Sequence, residues 1–157
     1  MATIFTDIKF VKLLEEIAPQ KGSDTEKTFT TIAQACCFAA ALAFNEGKKL
    51  DMKIKIKRGS EVRDNVLDNK AYKQQIDLLA MAVTGSHEIL QDNEDNKNKR
   101  YEIFQNFAHQ GLELLTKYKA NNPTDVTGID TVINILQEQS SKNVKSLANS
   151  ELGDPDF

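Results

Sequence analysis

The sequence predicts a mainly α-helical protein, a single-domain bundle of about five helices with one short extended or β segment near residues 51–58. Apolar residues recur at helical spacing in five segments, whereas one segment alternates apolar and basic residues instead. The length of 157 residues is typical of one domain. With 40% hydrophobic and 27% charged residues, the composition is that of a folded protein rather than a disordered one.

The first predicted helix lies over residues 8–17. Ile8, Val11 and Leu14 recur every third position along it. Pro19 ends the pattern, because the residue before a proline disfavours helical backbone. We therefore expect an amphipathic helix at the start of the chain, followed by a polar break.

The second predicted helix begins at a capping box formed by Ser23 and Glu26 and ends at Gly47. Its residues 35–44 are apolar on every side, so we expect it to lie in the middle of the domain. This apolar run is well short of the ~18 residues that span a bilayer. The two adjacent cysteines within it are interpreted as small core residues.

Residues 51–58 follow a different period. Met52, Ile54 and Ile56 alternate with lysines, which is the pattern of a half-buried strand. A single strand is not stable alone, so two arrangements remain open. Either the segment pairs with a strand that the sequence signals poorly, or it forms an extended arm over the helices.

Three further helical segments follow. Residues 61–67 are interpreted as a short helical turn, residues 72–83 as a helix that ends at Gly85, and residues 87–90 as a smaller turn. A long helix is predicted over residues 98–119. The last helix contains Ile129, Val132, Ile133 and Leu136.

Gly111 lies inside the long helix, where glycine costs about 1 kcal/mol relative to alanine. Close packing against another helix would explain that cost. Apolar residues become sparse after Ser140, so we expect a helical domain over residues 1–142 and a flexible acidic tail over residues 143–157.

Charge is distributed unevenly around the net value of −3. Residues 1–80 carry 13 basic and 11 acidic side chains, whereas residues 81–157 carry 7 and 12. The basic side chains concentrate in one segment that contains a single acidic residue, Asp51. Such a cluster can contact DNA phosphates, although protection of a strand edge against aggregation is the commoner role of such lysines. The candidate nucleic-acid-binding residues are Lys48, Lys49, Lys53, Lys55, Lys57 and Arg58.

The sequence shows no pattern that carries catalysis. It has no phosphate-binding loop and only two histidines and two cysteines, too few for the common zinc frameworks. A small metal-dependent hydrolase or nuclease would need the carboxylates of Glu61, Asp64 and Asp68, together with His109, to meet in one cleft. We therefore expect a protein that is not an enzyme and that has no cofactor and no metal.

Three blocks carry a resemblance to a known family. Residues 38–49 form an apolar helix followed by glycine and two lysines, residues 76–80 read Ile-Asp-Leu-Leu-Ala, and residues 101–115 contain phenylalanine followed by Ala-x-x-Gly-Leu. In this order, over about residues 25–120, they resemble the DNA phosphorothioation-associated protein 4 family. The resemblance implies a place beside bacterial DNA sulfur-modification and restriction genes, and it provides no catalytic residues.

On this basis we expect a non-catalytic accessory or adaptor subunit of a bacterial restriction or anti-phage defence system. The candidate docking residues are Met52, Ile54 and Ile56, which would suit addition of a strand by a partner. That partner would be a larger subunit of the system or a second copy in a homodimer. The alternative is a module that binds double-stranded DNA through its phosphates. Because we find neither a secretory signal nor a disulfide framework, we expect a cytoplasmic protein with no membrane partner.

Overall fold

The structure is a computed structural model that describes residues 3–19 and 26–151. Within them it shows six α-helices and one small antiparallel sheet, which confirms the mainly α prediction. The strands are β1 (Thr3–Asp7) and β2 (Arg58–Arg63). The helices are α1 (Val11–Ile17), α2 (Ile32–Asn45), α3 (Asp64–Leu67), α4 (Lys70–Thr84), α5 (Glu94–Ala120) and α6 (Ile129–Glu151).

Helices α2 and α5 form the centre of the domain, as the all-round apolar run predicts. The buried residues of α2 are mostly alanines and the two cysteines, which allow α5 to approach closely. At Gly111 the approach is so close that an added Cβ would lie 1.7 Å from the carbonyl oxygen of Ala39. The predicted reason for a glycine in the long helix is therefore confirmed.

Helix α2 is shorter than predicted. It begins at Ile32, and the side chain of Thr31 caps it by accepting a hydrogen bond from the backbone N–H of Gln34. The preceding residues are held outside the helix, because the N–H of Phe29 donates to the carbonyl of Ile17. The predicted cap Ser23 lies outside the described residues. The predicted end at Gly47 is confirmed by its left-handed backbone, with φ of 75°.

The strand lies later than predicted, and its partner was missed. β2 starts at Arg58, where the predicted segment ends, and pairs with β1 so that Ile4 lies opposite Val62. β1 occupies a stretch that the sequence analysis assigned to no element. Residues 51–57 contain no strand. They make a turn at Met52 and Lys53 and then continue as an arm beside the helices, closer to the second of the two predicted arrangements.

The junctions between elements refine the remaining predictions. The first predicted helix divides into a 3-10 turn (Ile8–Phe10) and α1, because the Asp7 side chain caps the turn by accepting from the N–H of Lys9. The predicted turn over residues 61–67 contains the end of β2 and then α3. Helix α4 ends at Gly85 as predicted, and a 3-10 turn (His87–Leu90) follows it.

The two long helices extend beyond their predicted limits. Helix α5 starts at Glu94 because Asn93 caps it, and α6 continues to Glu151. Residues 143–151, which the sequence analysis assigned to the tail, are therefore helical, and residues 152–157 lie outside the described part. Across residues 3–19 and 26–151, no helix is both long and apolar enough to cross a membrane.

Candidate functional site

Residues 48–57 form the basic arm, a segment without regular secondary structure that is fastened to α5 at its start. The Asn106 side chain donates to the Asp51 carbonyl at 2.7 Å and accepts from the Asp51 N–H at 3.1 Å. Gln110 donates to the carbonyl of Lys49 at 2.8 Å. Two side chains of one helix thus fix the backbone of the arm in place.

The far end of the arm is held by Asp7. Its buried carboxylate accepts hydrogen bonds from the backbone N–H groups of Lys9 and Lys57, each at 3.0 Å. The carbonyl of Lys57 accepts a further bond from Ile8. Burial opposes the charged form of Asp7, but these hydrogen bonds outweigh it and hold the pKa of the carboxyl below its ordinary value. The last residue of the arm, Lys57, is therefore held by hydrogen bonding of its backbone N–H to the Asp7 carboxylate.

The arm presents a series of exposed positive charges. Its five lysines are exposed, and none of them makes an ion pair within 4.0 Å to any residue that the structure describes. Arg58, directly after the arm, places its guanidinium 4.6 Å from the centre of the Phe5 ring. The six candidate nucleic-acid-binding residues are thus brought together on one fixed segment.

The candidate docking residues line a cleft of about 520 Å³ between the arm and α5. Ile54 and Ile56 are half-buried, whereas Met52 is 78% exposed at the rim. Phe5 and Ile103 contribute further apolar surface, and the charged groups at the cleft include Arg58, Lys99, Asp51 and Glu102. Apolar surface and positive charge therefore occur side by side.

The geometry of the arm does not suit the predicted addition of a strand by a partner. The arm is not a strand, and at Asp51 it makes a turn in which the side chain accepts from the N–H of Lys53 at 2.9 Å. Further backbone groups at Lys49, Asp51 and Lys57 are already hydrogen-bonded to the body. A partner would therefore contact the side chains of the cleft rather than the edge of a strand.

Two of the four residues of the hydrolase alternative, Asp64 and Asp68, lie one turn apart near Tyr101, whereas Glu61 and His109 have other partners. Glu61 pairs with Arg63 at 3.3 Å, and Asp68 accepts a hydrogen bond from the Tyr101 hydroxyl at 2.9 Å. Burial and the Asp68 carboxylate raise the pKa of Tyr101. Among residues 3–19 and 26–151, no group of three or more His, Cys, Asp or Glu side chains is placed to hold a metal ion.

His109 belongs to a different cluster beside the first turn. Its ring packs edge-on against Phe10, with 5.1 Å between centroids, and its Nε2 lies 3.4 Å from Glu113. Its buried Nδ1 has no hydrogen-bond partner in the described part of the chain. Burial and the nearby Lys9 ammonium lower the pKa of the imidazole. The ring therefore acts here as part of the packing between α5 and the N-terminal segment.

An apolar groove of about 890 Å³ between α2 and α4 was missed by the sequence analysis. Phe44, Leu78 and Met81 line it, and Asn143 of α6 contributes from one side. A signal was available, because Leu78 lies off the face of α4 that Ile76 and Leu79 bury. An apolar side chain outside a core-facing stripe indicates either an isolated exposure or a surface of contact.

Comparison with known families decides where the chain belongs. A family model described as DNA sulphur modification system-associated protein 4 matches residues 9–154. The chain belongs to this family. The match confirms the resemblance and corrects its extent, because the family includes α6, which the resemblance over residues 25–120 left out. Comparison with curated proteins and with solved structures found no match. Membership of the sulphur modification-associated family thus places the protein in association with DNA sulphur modification systems.

Proposed function

We propose that the protein is a non-catalytic accessory subunit of a bacterial DNA sulphur modification-linked restriction or anti-phage defence system, and that it acts by docking onto a larger subunit. One observation carries the proposal. The cleft that Met52, Ile54 and Ile56 help to line lies directly beside the arm lysines, which make no ion pair with any residue that the structure describes. A surface that combines fixed apolar pockets with unpaired charge suits recognition of another protein.

The charges indicate the chemistry of the partner segment. An acidic segment carrying one or two large apolar side chains would place those side chains in the cleft and its carboxylates against the lysines. Because the lysines are exposed, the charge pairs would mainly raise the association rate, and this contribution would weaken as salt rises. The apolar contacts would provide the part of the affinity that salt does not remove.

Affinity purification from a host that carries the defence genes tests the proposal. We expect the unaltered protein to recover a subunit of that system and Met52→Asp to lose at least about tenfold of the recovery. Val126→Asp is the matched control, since Val126 is 71% exposed, close to the 78% of Met52, and lies away from the cleft. Recovery of no defence subunit, or equal recovery by the two variants, would contradict the proposal.

Binding of duplex DNA is a second candidate, favoured by the series of five exposed lysines and Arg58. Affinity for duplex DNA would then fall as salt rises. Replacing Lys55 and Lys57 by glutamate would reduce the slope of log affinity against log salt by about 2, because each phosphate contact contributes about 0.9.

The control for DNA binding is a double variant with the same change of charge, Lys12→Glu with Lys70→Glu. Both control residues are exposed and lie outside the arm. If both double variants changed the salt slope equally, the change would come from the net charge of the protein and not from contacts of the arm with DNA. Absence of binding at low salt would exclude the DNA candidate and leave docking to protein unaffected.

A further inference from the structure

Helix α6 carries an apolar stripe on the side that faces away from the core. The stripe residues are Ile129, Ile133, Leu136, Ser140, Val144 and Leu147, which recur at intervals of three or four and so share one face. Its five apolar members are between 42% and 63% exposed. The core-facing side is a different one, where Ile135 and Gln139 are buried.

The second half of α6 packs poorly against the body. All of residues 140–150 are exposed, although they continue the helix for about three turns. Isolated helices of this length are marginal in water, and most helical stability in proteins comes from packing of an apolar face. An exposed helix with a regular apolar stripe therefore lacks the surface that would bury it.

We propose that this stripe is the interface of a symmetric homodimer in which α6 packs antiparallel against α6 of a second copy. The spacing of the stripe is the same in both directions from Ser140, with Leu136 and Val144 at four residues and Ile133 and Leu147 at seven. A two-fold axis at Ser140 would thus place Leu136 opposite Val144 and Ile133 opposite Leu147. Such self-complementarity is what an isologous interface requires.

The charges in the middle of α6 lie off the stripe and are paired within the chain. Lys142 pairs with Glu46 at 3.1 Å and with Glu138 at 3.4 Å, and Glu138 also accepts a hydrogen bond from the Tyr118 hydroxyl. These charges therefore leave the stripe free for an apolar contact. The stripe itself has no charged residue, as is typical of the buried centre of an interface.

The exposed apolar area is sufficient for a dimer when the neighbouring groove takes part. Asn143 lines that groove. Leu136, seven residues before Asn143, and Leu147, four residues after it, lie on the same face of α6 as Asn143. Phe44 and Leu78 are the groove's large exposed apolar residues. At about 180 Å² per fully exposed side chain, these two and the stripe amount to about 650 Å² per copy, or about 1,300 Å² per pair, within the range of specific interfaces.

The mass in solution tests the dimer. By sedimentation or light scattering at tens of micromolar, we expect twice the chain mass of 17.6 kDa. Leu136→Glu with Leu147→Glu would raise the dimer Kd at least about 100-fold, because four carboxylates would be placed in the buried interface. The control is Asn134→Glu with Ser141→Glu, two exposed positions of the same helix off the stripe, which would leave the dimer intact.

A cysteine at the symmetry axis tests the register. Ser140→Cys would form a disulfide-linked dimer under mild oxidation, since its two copies would be neighbours, whereas Asn134→Cys would not. The natural cysteines Cys36 and Cys37 are buried and do not compete. Circular dichroism would verify that each variant is folded. A monomer at every concentration up to about 100 µM, a dimer that survives the two stripe glutamates, or a stripe occupied only by a different protein would each overturn the proposal.

Discussion

Helices α2 and α5 are held together in a different way from helix α6, which is attached to the body mainly by polar side chains. Helices α2 and α5 meet almost backbone to backbone at Ala39 and Gly111, with Phe104 and Leu112 fully buried beside them. Helix α6 is attached at its start and middle by polar side chains around one fully buried apolar residue, Ile135. The first contact depends on shape, whereas the second depends on the pairing of particular polar atoms.

The difference determines what each region tolerates. At the centre, small residues allow an approach that one additional carbon would prevent, so the sequence there is restricted in volume. On α6, a large part of the surface is open to solvent, so contacts with the body restrict fewer positions, among them Thr131, Ile135 and Gln139. Substitutions on the exposed side of α6 can therefore alter binding without unfolding the protein.

Gly111→Ala is the strongest way to break the central contact. The new Cβ would lie 1.7 Å from the Ala39 carbonyl oxygen, so the two helices would have to separate. We expect a loss of about 3 kcal/mol or more in the free energy of unfolding, which lowers the Tm by about 6–12 °C in a chain of this size. Thermal and urea unfolding measure both quantities.

Two controls distinguish overpacking from a general effect of substitution. Ser141→Ala changes an exposed residue of α6 and is expected to alter the Tm by less than about 2 °C. Ala39→Gly combined with Gly111→Ala would not restore stability, because the clash is with the backbone oxygen rather than with the alanine side chain. If Ala39→Gly fully restored the stability of Gly111→Ala, the clash would be with the Ala39 side chain and not with its carbonyl oxygen.

Asp125 tests the start of α6 and gives a smaller effect. Its buried carboxylate accepts from the N–H of Gly128 at 3.0 Å, the N–H of Thr131 at 2.8 Å and the Thr131 hydroxyl at 2.7 Å. Burial opposes the charge, but these hydrogen bonds outweigh it and keep the pKa of Asp125 below its ordinary value. We expect Asp125→Ala to cost about 2 kcal/mol of stability, measured by urea unfolding at pH 7.

The same carboxylate predicts a dependence on pH. Because its pKa is lower in the folded protein than in the unfolded chain, its contribution is complete above the unfolded value, near 3.8, and is lost as pH falls through the folded value. Between pH 5 and pH 2.5 the unaltered protein would therefore lose more stability than Asp125→Asn. Parallel slopes for the two proteins over this range would show that Asp125 is not the responsible group.

The framework was predictable where the signal is local. Gly47 and Gly85 end helices because their left-handed backbone suits glycine, and Gly111 indicates a close contact from its cost alone. The strand was predicted at the wrong position because alternation of apolar and basic residues indicates only that one side of a segment is buried. Ile54 and Ile56 alternate with exposed lysines since they lie over a cleft on α5, not because they pair in a sheet. β1 has only five residues, too few for its own pattern to stand out.

The basic arm, the groove and the α6 stripe could be predicted to different degrees, depending on whether their residues are close together in the sequence. The basic residues are neighbours in sequence, so they remain neighbours in the structure, and their position could be predicted without knowing the fold. The groove combines Phe44 of α2 with Leu78 of α4, which only tertiary packing brings together. The stripe on α6 is local, but its exposure could be recognised only once Ile135 and Gln139 were seen to occupy the core side.

Gln139 tests the middle attachment of α6, with an expected loss of about 1 kcal/mol in Gln139→Ala. Its amide donates to Glu46 and accepts from Asn45. Hydrogen bonds from Gln139 and Lys142 hold the pKa of Glu46 below its ordinary value. The substitution would therefore raise that pKa, which a carboxyl NMR titration follows directly. An unchanged Glu46 titration would show that Lys142 alone accounts for the effect.

The smallest effect is expected on the basic arm, and it separates function from folding. Lys55 and Lys57 are exposed and have no ion-pair partner in the described part of the chain, so Lys55→Ala with Lys57→Ala would change the Tm by less than about 2 °C. The backbone of the arm would stay in place, because Asp7 holds the N–H of residue 57 whatever the side chain. A large fall in Tm would mean that these lysines contribute to the fold. Loss of partner recovery at unchanged Tm would instead show that their charge is used for binding, in contrast to Gly111, whose role is confined to packing.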